Sequence, residues 1–220
     1  MRAAGARAPP LKRSCERTLL SPICSCISIL LATRTVARVQ RNGLPPLNLS
    51  FDWVPSRVVD LFTGDRGRDR PASAMVTHVF RLVDHSIEAY HRIGELVDEL
   101  IASQIHPRAI FRCSSAIEEC VTTVNRAGRM AQRLMKLGIF DKAAMPSKAE
   151  LLAVTQMRDA IEHIDERLLG HSSKSPNVAG APAMVTPDDD AAVLGPHRLE
   201  WVTLASVITK LHHAVNYPIR

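Results

Sequence analysis

Apolar residues recur at intervals of three and four along most of the chain from Val76 onward, and that spacing predicts amphipathic helices. Val76, Val79, Phe80, Val83, Ile87, Tyr90, Val97, Leu100, Ile101 and Ile105 trace one stripe, which predicts a single long helix over residues 76–105. Pro107 ends that pattern and suits the first turn of the next helix. Ile110, Ile117, Cys120, Val121, Val124, Ala131, Leu134 and Leu137 mark this second helix, over 108–137, and Gly138 closes it. A third is predicted over 148–169. Ser147 and Glu150 form an S-x-x-E capping box just after Pro146, Gly170 is the stop, and Met157, Ala160, Ile161, Ile164 and Leu168 supply the apolar face between them. Short connections between long helices favour antiparallel neighbours, so the expected fold is all-α, an up-and-down bundle of about four helices.

The pattern lapses after Gly170. Residues 171–197 are rich in Ser, Pro, Ala and Asp, contain Asp188-Asp189-Asp190, and read as a surface loop or linker. Periodicity returns with Trp201, Leu204, Ala205, Ile208, Leu211 and Val215, which predicts a C-terminal helix within 198–220. Strand formers in Trp201-Val202-Thr203 and Val207-Ile208-Thr209 leave a β-hairpin arm as the alternative.

Charge separates the first third of the chain from the rest. Residues 1–74 hold 12 Lys and Arg against 5 Asp and Glu, whereas residues 75–220 hold 16 against 17. The net charge of +6 therefore belongs to the first third and does not by itself indicate a basic groove. That third is broken by Pro9-Pro10, Pro22, Pro45-Pro46 and Pro55 and shows no sustained period, so residues 1–74 are expected to be a poorly structured, irregular leader that buries little. Leu19 to Ala32, preceded by Lys12, Arg13 and Arg17, has some character of a signal peptide, and an Arg-rich transit peptide is a second option. A gene start placed too early, with Met75 as the first residue, is the reading favoured by the helical pattern that begins beside Met75. The apolar stretch is too short for a membrane span, and no membrane partner is expected. Residues 75–170 form the expected bundle core.

Candidate chemistry concentrates in Arg158-Asp159-Ala160-Ile161-Glu162-His163. On a continuous helix Arg158 and His163 are about 140° apart, one on each flank of the apolar stripe. Arginine keeps its charge and presents a planar fork to phosphate, while histidine exchanges a proton near neutral pH. Such a pair suits phosphodiester cleavage without a metal: a base takes the ribose 2′-hydroxyl proton and a cation stabilises the charge developing on phosphoryl oxygens. Asp159, four residues before His163, is placed to orient the imidazole, and Glu162, four after Arg158, to pair with it. The bland alternative is a solvated charged face laced with such pairs.

The Arg-x4-His spacing, with a polar residue directly after the arginine and the motif late in an all-helical domain, resembles the HEPN superfamily; the resemblance covers residues 76–170. It implies a helical bundle acting as a metal-independent ribonuclease, in which two protomers bring their motifs to one cleft. Arg158 would then be the phosphate-contacting cation, Asp159 the polar second position and His163 the catalytic imidazole. A cytoplasmic homodimer with an RNA substrate is implied, as a toxin or defence effector with an antitoxin-like partner; no cofactor or metal is expected.

The remaining motifs are weaker. Cys113 and Cys120 fall on one face of the second helix and read as small buried hydrophobes, while Cys24-x-Cys26 lacks the second pair a zinc site needs. Glu88-x-x-His91 has the spacing used by di-iron bundles, but no second copy exists. His78, His85, His212 and His213 read as surface or boundary residues, and no H-E-x-x-H, glycine-rich phosphate loop or G-x-S-x-G occurs. Two classes of function remain: the ribonuclease, and a non-catalytic bundle that uses the same motif helix for protein interaction or dimerisation.

Overall fold

The computed structural model describes residues 43–49, 70–102, 106–164 and 184–216. Among them four helices dominate: α1 (Arg70–Ala102), α2 (Pro107–Lys136), α3 (Lys148–Glu162) and α4 (Trp201–Asn216). The protein is an all-α, up-and-down helical bundle. A 3-10 turn at Lys142–Ala144 precedes α3, and a small antiparallel sheet of β1 (Thr186–Pro187), β2 (Ala191–Leu194) and β3 (His197–Glu200) precedes α4.

Helix boundaries follow local chemistry. At the start of α2 the His106 side chain accepts from the Arg108 backbone N–H, and Pro107 needs no donor in the first turn. At its end Gly138 adopts φ 71°, and the N–H groups of Gly138 and Ile139 return to the carbonyls of Met135 and Leu134. The anticipated capping box of α3 is formed in both directions, Ser147 Oγ accepting from the Glu150 N–H and Glu150 accepting from the Ser147 N–H.

The core is built first from α1 against α2, with α3 laid on α2 and α4 touching all three. Val79, Val83, Ile87, Tyr90, Ile93 and Leu100 of α1 meet Ile110, Cys113, Ile117, Cys120, Val124 and Leu134 of α2, all essentially fully buried. Met157 and Val154 extend this core into α3, and Trp201, Leu204, Ile208 and Leu211 close it from α4. Gly128 lets α3 approach α2, since a Cβ there would sit 2.7 Å from the Leu151 side chain. Buried Asn125 and Ser86 find partners: Thr155 donates to Asn125 Oδ1 at 3.0 Å, and Ser86 donates to the Leu82 carbonyl at 2.7 Å.

Several boundaries differ from those expected of the sequence. Helix α1 starts at Arg70, before Met75, and its expected tail at 103–105 lies outside the described residues, as do 165–183. Helix α3 is capped at His163 after Glu162, Ile164 is helical again, and the rest of the expected span, 165–169, lies outside the described residues. Part of the stretch expected to be linker is the three-stranded sheet, in which Ala191 to Leu194 pairs with Glu200 to His197 across the two-residue turn Gly195-Pro196. Gly195 has φ 59°, the glycine-permitted conformation that a two-residue hairpin takes at its first central position. The last element is a helix, not a β-arm, because its three- and four-residue apolar spacing buries Trp201, Leu204, Ile208, Leu211 and Val215 together, and it follows β3 directly. At that junction Trp201 donates its backbone N–H to Asp190 O and its indole N–H to Asp188 O.

Seven residues of the expected leader also pack against the bundle. Leu47 is buried, Tyr90 of α1 donates its hydroxyl to Pro45 O at 2.8 Å, and the His91 Nε2 lies 3.1 Å from Leu47 O. Gly94 lets the Leu44 side chain approach α1, and Gly43 abuts the Asp189 backbone beside the sheet. The remainder of residues 1–74 before Arg70 lies outside the described residues, with the leader expectations that fall on it. No helix among the described residues is long and apolar enough to cross a membrane.

Candidate functional site at the end of the third helix

Helix α3 packs through Leu151, Val154, Met157 and Ala160, a three-residue rhythm that leaves the opposite face open. Asp159 lies on that face, 52 % exposed, while Arg158 and Glu162 sit at the margin of the packed stripe, 28 % and 41 % exposed. His163, also exposed, follows as the C-cap, with its backbone N–H bonded to Asp159 O and Ile161 O. The four charged or titratable groups of the sequence motif are thus gathered at one surface-facing helix end. The angular argument for Arg158 and His163 holds only through Glu162, because the helix ends before the imidazole.

The expected Arg158–Glu162 pair is formed, from Nη2 to Oε1. Arg158 Nη1 also donates to Asp159 Oδ1 at 3.0 Å, so the Asp159 carboxylate engages the guanidinium. Two anions therefore flank one cation. This lowers the local positive potential and opposes phosphate binding until one carboxylate is displaced or protonated. The planar guanidinium carries more N–H donors than these two oxygens accept.

Glu150, at the other end of α3, is a carboxyl shifted well below its ordinary value. Burial alone would raise its pKa, but hydrogen bonds from Lys210, Ser206 and Ser147 outweigh it and hold the carboxyl at about 2. Only the Ser147 part of this network follows from local spacing; Lys210 is 60 positions away in sequence. The group is structural, tying α3 to α4.

The other motifs keep ordinary roles. Burial pushes the Cys113 thiol up to about 12 and the Cys120 thiol higher still, so both stay protonated, and Cys120 contacts the Ser86 carbonyl. His91 of the Glu88-x-x-His91 spacing faces the Leu47 carbonyl, and Glu88 lies beside His85. Among the described residues no group of three or more His, Cys, Asp or Glu is placed to hold a metal. His85 pairs with Glu119 of α2 at 2.9 Å, and Arg92 shares the same carboxylate at 3.1 Å.

Two surface cavities lie away from the α3 end. One, of about 720 Å³, is bounded by Leu44 to Leu47 and by Tyr90, His91, Gly94 and Asp98 of α1. The second, of about 470 Å³, lies along the α1–α2 seam and is lined by arginines and Phe111. Its sequence signal, Arg108-x-x-Phe111-Arg112, was present but indistinct from an ordinary exposed helix face. Comparison of the chain with protein-family models, curated proteins and solved structures gave no match.

Proposed function

We propose that this protein is a HEPN-like, metal-independent ribonuclease acting in the cytoplasm as a homodimer, with the α3 ends of two copies forming one cleft. The observation that carries this reading is the placement of Arg158 and His163 off the packed face of α3, where neither is committed to the core. In the reaction His163 accepts the ribose 2′-hydroxyl proton as that oxygen attacks the adjacent phosphorus. The P–O5′ bond breaks, leaving a 2′,3′-cyclic phosphate, and an imidazolium returns a proton to the departing 5′-oxygen. Arg158 stabilises the charge on the non-bridging oxygens. A toxin or defence role, restrained by an antitoxin-like protein partner, fits an enzyme of this kind.

The test compares RNA and DNA strands of one sequence in excess EDTA. RNA is cut and DNA, lacking the 2′-hydroxyl, is spared. Light scattering at about tens of micromolar, where weak association is visible, should show a dimer; a pure monomer would leave the cleft without its second half.

A second reading is favoured by the pairing of Arg158 with both Asp159 and Glu162. A cation already neutralised in this way suits a non-catalytic bundle in which the same surface docks a protein or a second copy. That reading predicts dimerisation without RNA cleavage.

A further inference from the structure

The α1–α2 seam carries a second surface with its own chemistry. Arg92 of α1 and Arg108 and Arg112 of α2 line the groove of about 470 Å³, with Leu96 at its floor and Phe111 at its edge. Two of the arginines are held in place by ion pairs that cross the seam. Arg92 binds Glu119 at 3.1 Å, and Arg112 Nη1 donates to both oxygens of Glu99 at 3.0 and 2.9 Å. Arg108 has no carboxylate partner among the described residues. The groove thus has three guanidinium groups against two carboxylates. Phe111 is 49 % exposed, and it stands three residues after Arg108 and directly before Arg112.

A single half-exposed phenylalanine is unremarkable on a protein surface. Its position matters because its ring stands on the same helix face as an unpaired arginine. An aromatic face takes a stacked base of any sequence, and neighbouring guanidinium groups take the phosphates on either side. A purely apolar partner would leave the Arg108 charge buried without a counter-ion, at high cost. An acidic peptide would satisfy the arginines but would not use the ring.

We infer that this groove binds single-stranded RNA, Phe111 stacking on a base while Arg108, with Arg92 and Arg112, contacts the flanking phosphates. The inference rests on the ribonuclease reading for the choice of RNA and supplies that enzyme with a substrate-holding surface distinct from its α3 end. Strand binding here needs no sequence readout, so recognition is by backbone charge and stacking.

The experiment measures fluorescence anisotropy of a mixed-sequence 2′-O-methyl RNA strand, which has no free 2′-hydroxyl and cannot be cleaved, on the full chain. Phe111→Ala and Arg108→Ala are each expected to weaken binding roughly tenfold, and Phe111→Tyr to retain it, because only the tyrosine keeps a stacking face. Arg108→Ala should also reduce the slope of log affinity against log salt by about 0.7, one phosphate contact on a single strand. Melting temperatures of the variants, whose replaced groups are solvent-exposed, should match the wild type. No strand binding by the wild type, equal binding by all variants, or a Phe111→Ala effect confined to the oligomeric state would overturn the inference. Strand binding that responds to these variants in a protein that leaves RNA intact would uphold the groove and defeat the ribonuclease reading. RNA cleavage with strand affinity indifferent to Phe111 and Arg108 would do the reverse.

Discussion

Glu150 accepts from Lys210 Nζ with both carboxylate oxygens, at 2.7 and 2.8 Å, while its Oε2 also closes the capping box on the Ser147 N–H. One side chain therefore caps α3 and fastens it to α4. Its carboxyl titrates near 2 instead of its ordinary 4.5, so the folded state prefers the ionised form. A depressed pKa contributes stability that is fully present above the ordinary value and is lost as pH falls from about 4.5 toward 2. Glu150→Gln should lower stability at neutral pH by an amount on the order of 2 kcal/mol. Thermal melts at a series of pH values check this: the gap between wild type and variant should narrow across that acidic window, and a gap independent of pH would refute it.

Tyr90 and Leu47 give the second prediction. The hydroxyl of Tyr90 is bonded to Pro45 O, and Leu47 is only 8 % exposed, so residues 43–49 contribute to the bundle. The sequence suggests that a chain starting at Met75 would be as stable as the whole; the packing predicts a lower melting temperature for it. Tyr90→Phe should cost about 1 kcal/mol through the lost hydrogen bond, and Leu47→Ala about 2 kcal/mol or more through the lost apolar burial. Denaturant titration of the two variants is the check.

The helices were legible because each carries a long apolar stripe, and their caps because Ser147, Glu150, Pro107 and Gly138 act on neighbours in sequence. The sheet was not legible: its strands have four residues or fewer, and their alternation is hidden in a stretch rich in Ala, Asp and Pro. Tertiary partners were equally hidden. Neither the approach of Lys210 to Glu150 nor that of Pro45 to Tyr90 leaves a periodic trace, because both join residues more than 40 positions apart. For the candidate site, sequence spacing foresaw the Arg158–Glu162 pair but not the engagement of Asp159 by Arg158, nor the end of α3 before His163.

That engagement sets the third prediction. The Asp159 carboxylate holds part of the Arg158 guanidinium and adds negative charge where a phosphate must come. Asp159→Asn should therefore raise RNA cleavage several-fold, on the order expected for removing one unfavourable nearby charge. Initial rates at low substrate concentration measure this, and a loss of activity would assign the carboxylate a positive role in the reaction.

The central claim is that Arg158 and His163 together cleave RNA, and single-turnover cleavage of a single-stranded RNA in excess EDTA tests it most directly. The wild type should cut. His163→Ala should slow cleavage roughly 10²- to 10⁴-fold by removing proton transfer, and Arg158→Ala should cripple it as well. Both variants should keep wild-type helix content by circular dichroism, since neither side chain fills the core. Absence of cleavage by the wild type, or cleavage unchanged in both variants, would contradict the account and leave the bundle as an interaction module.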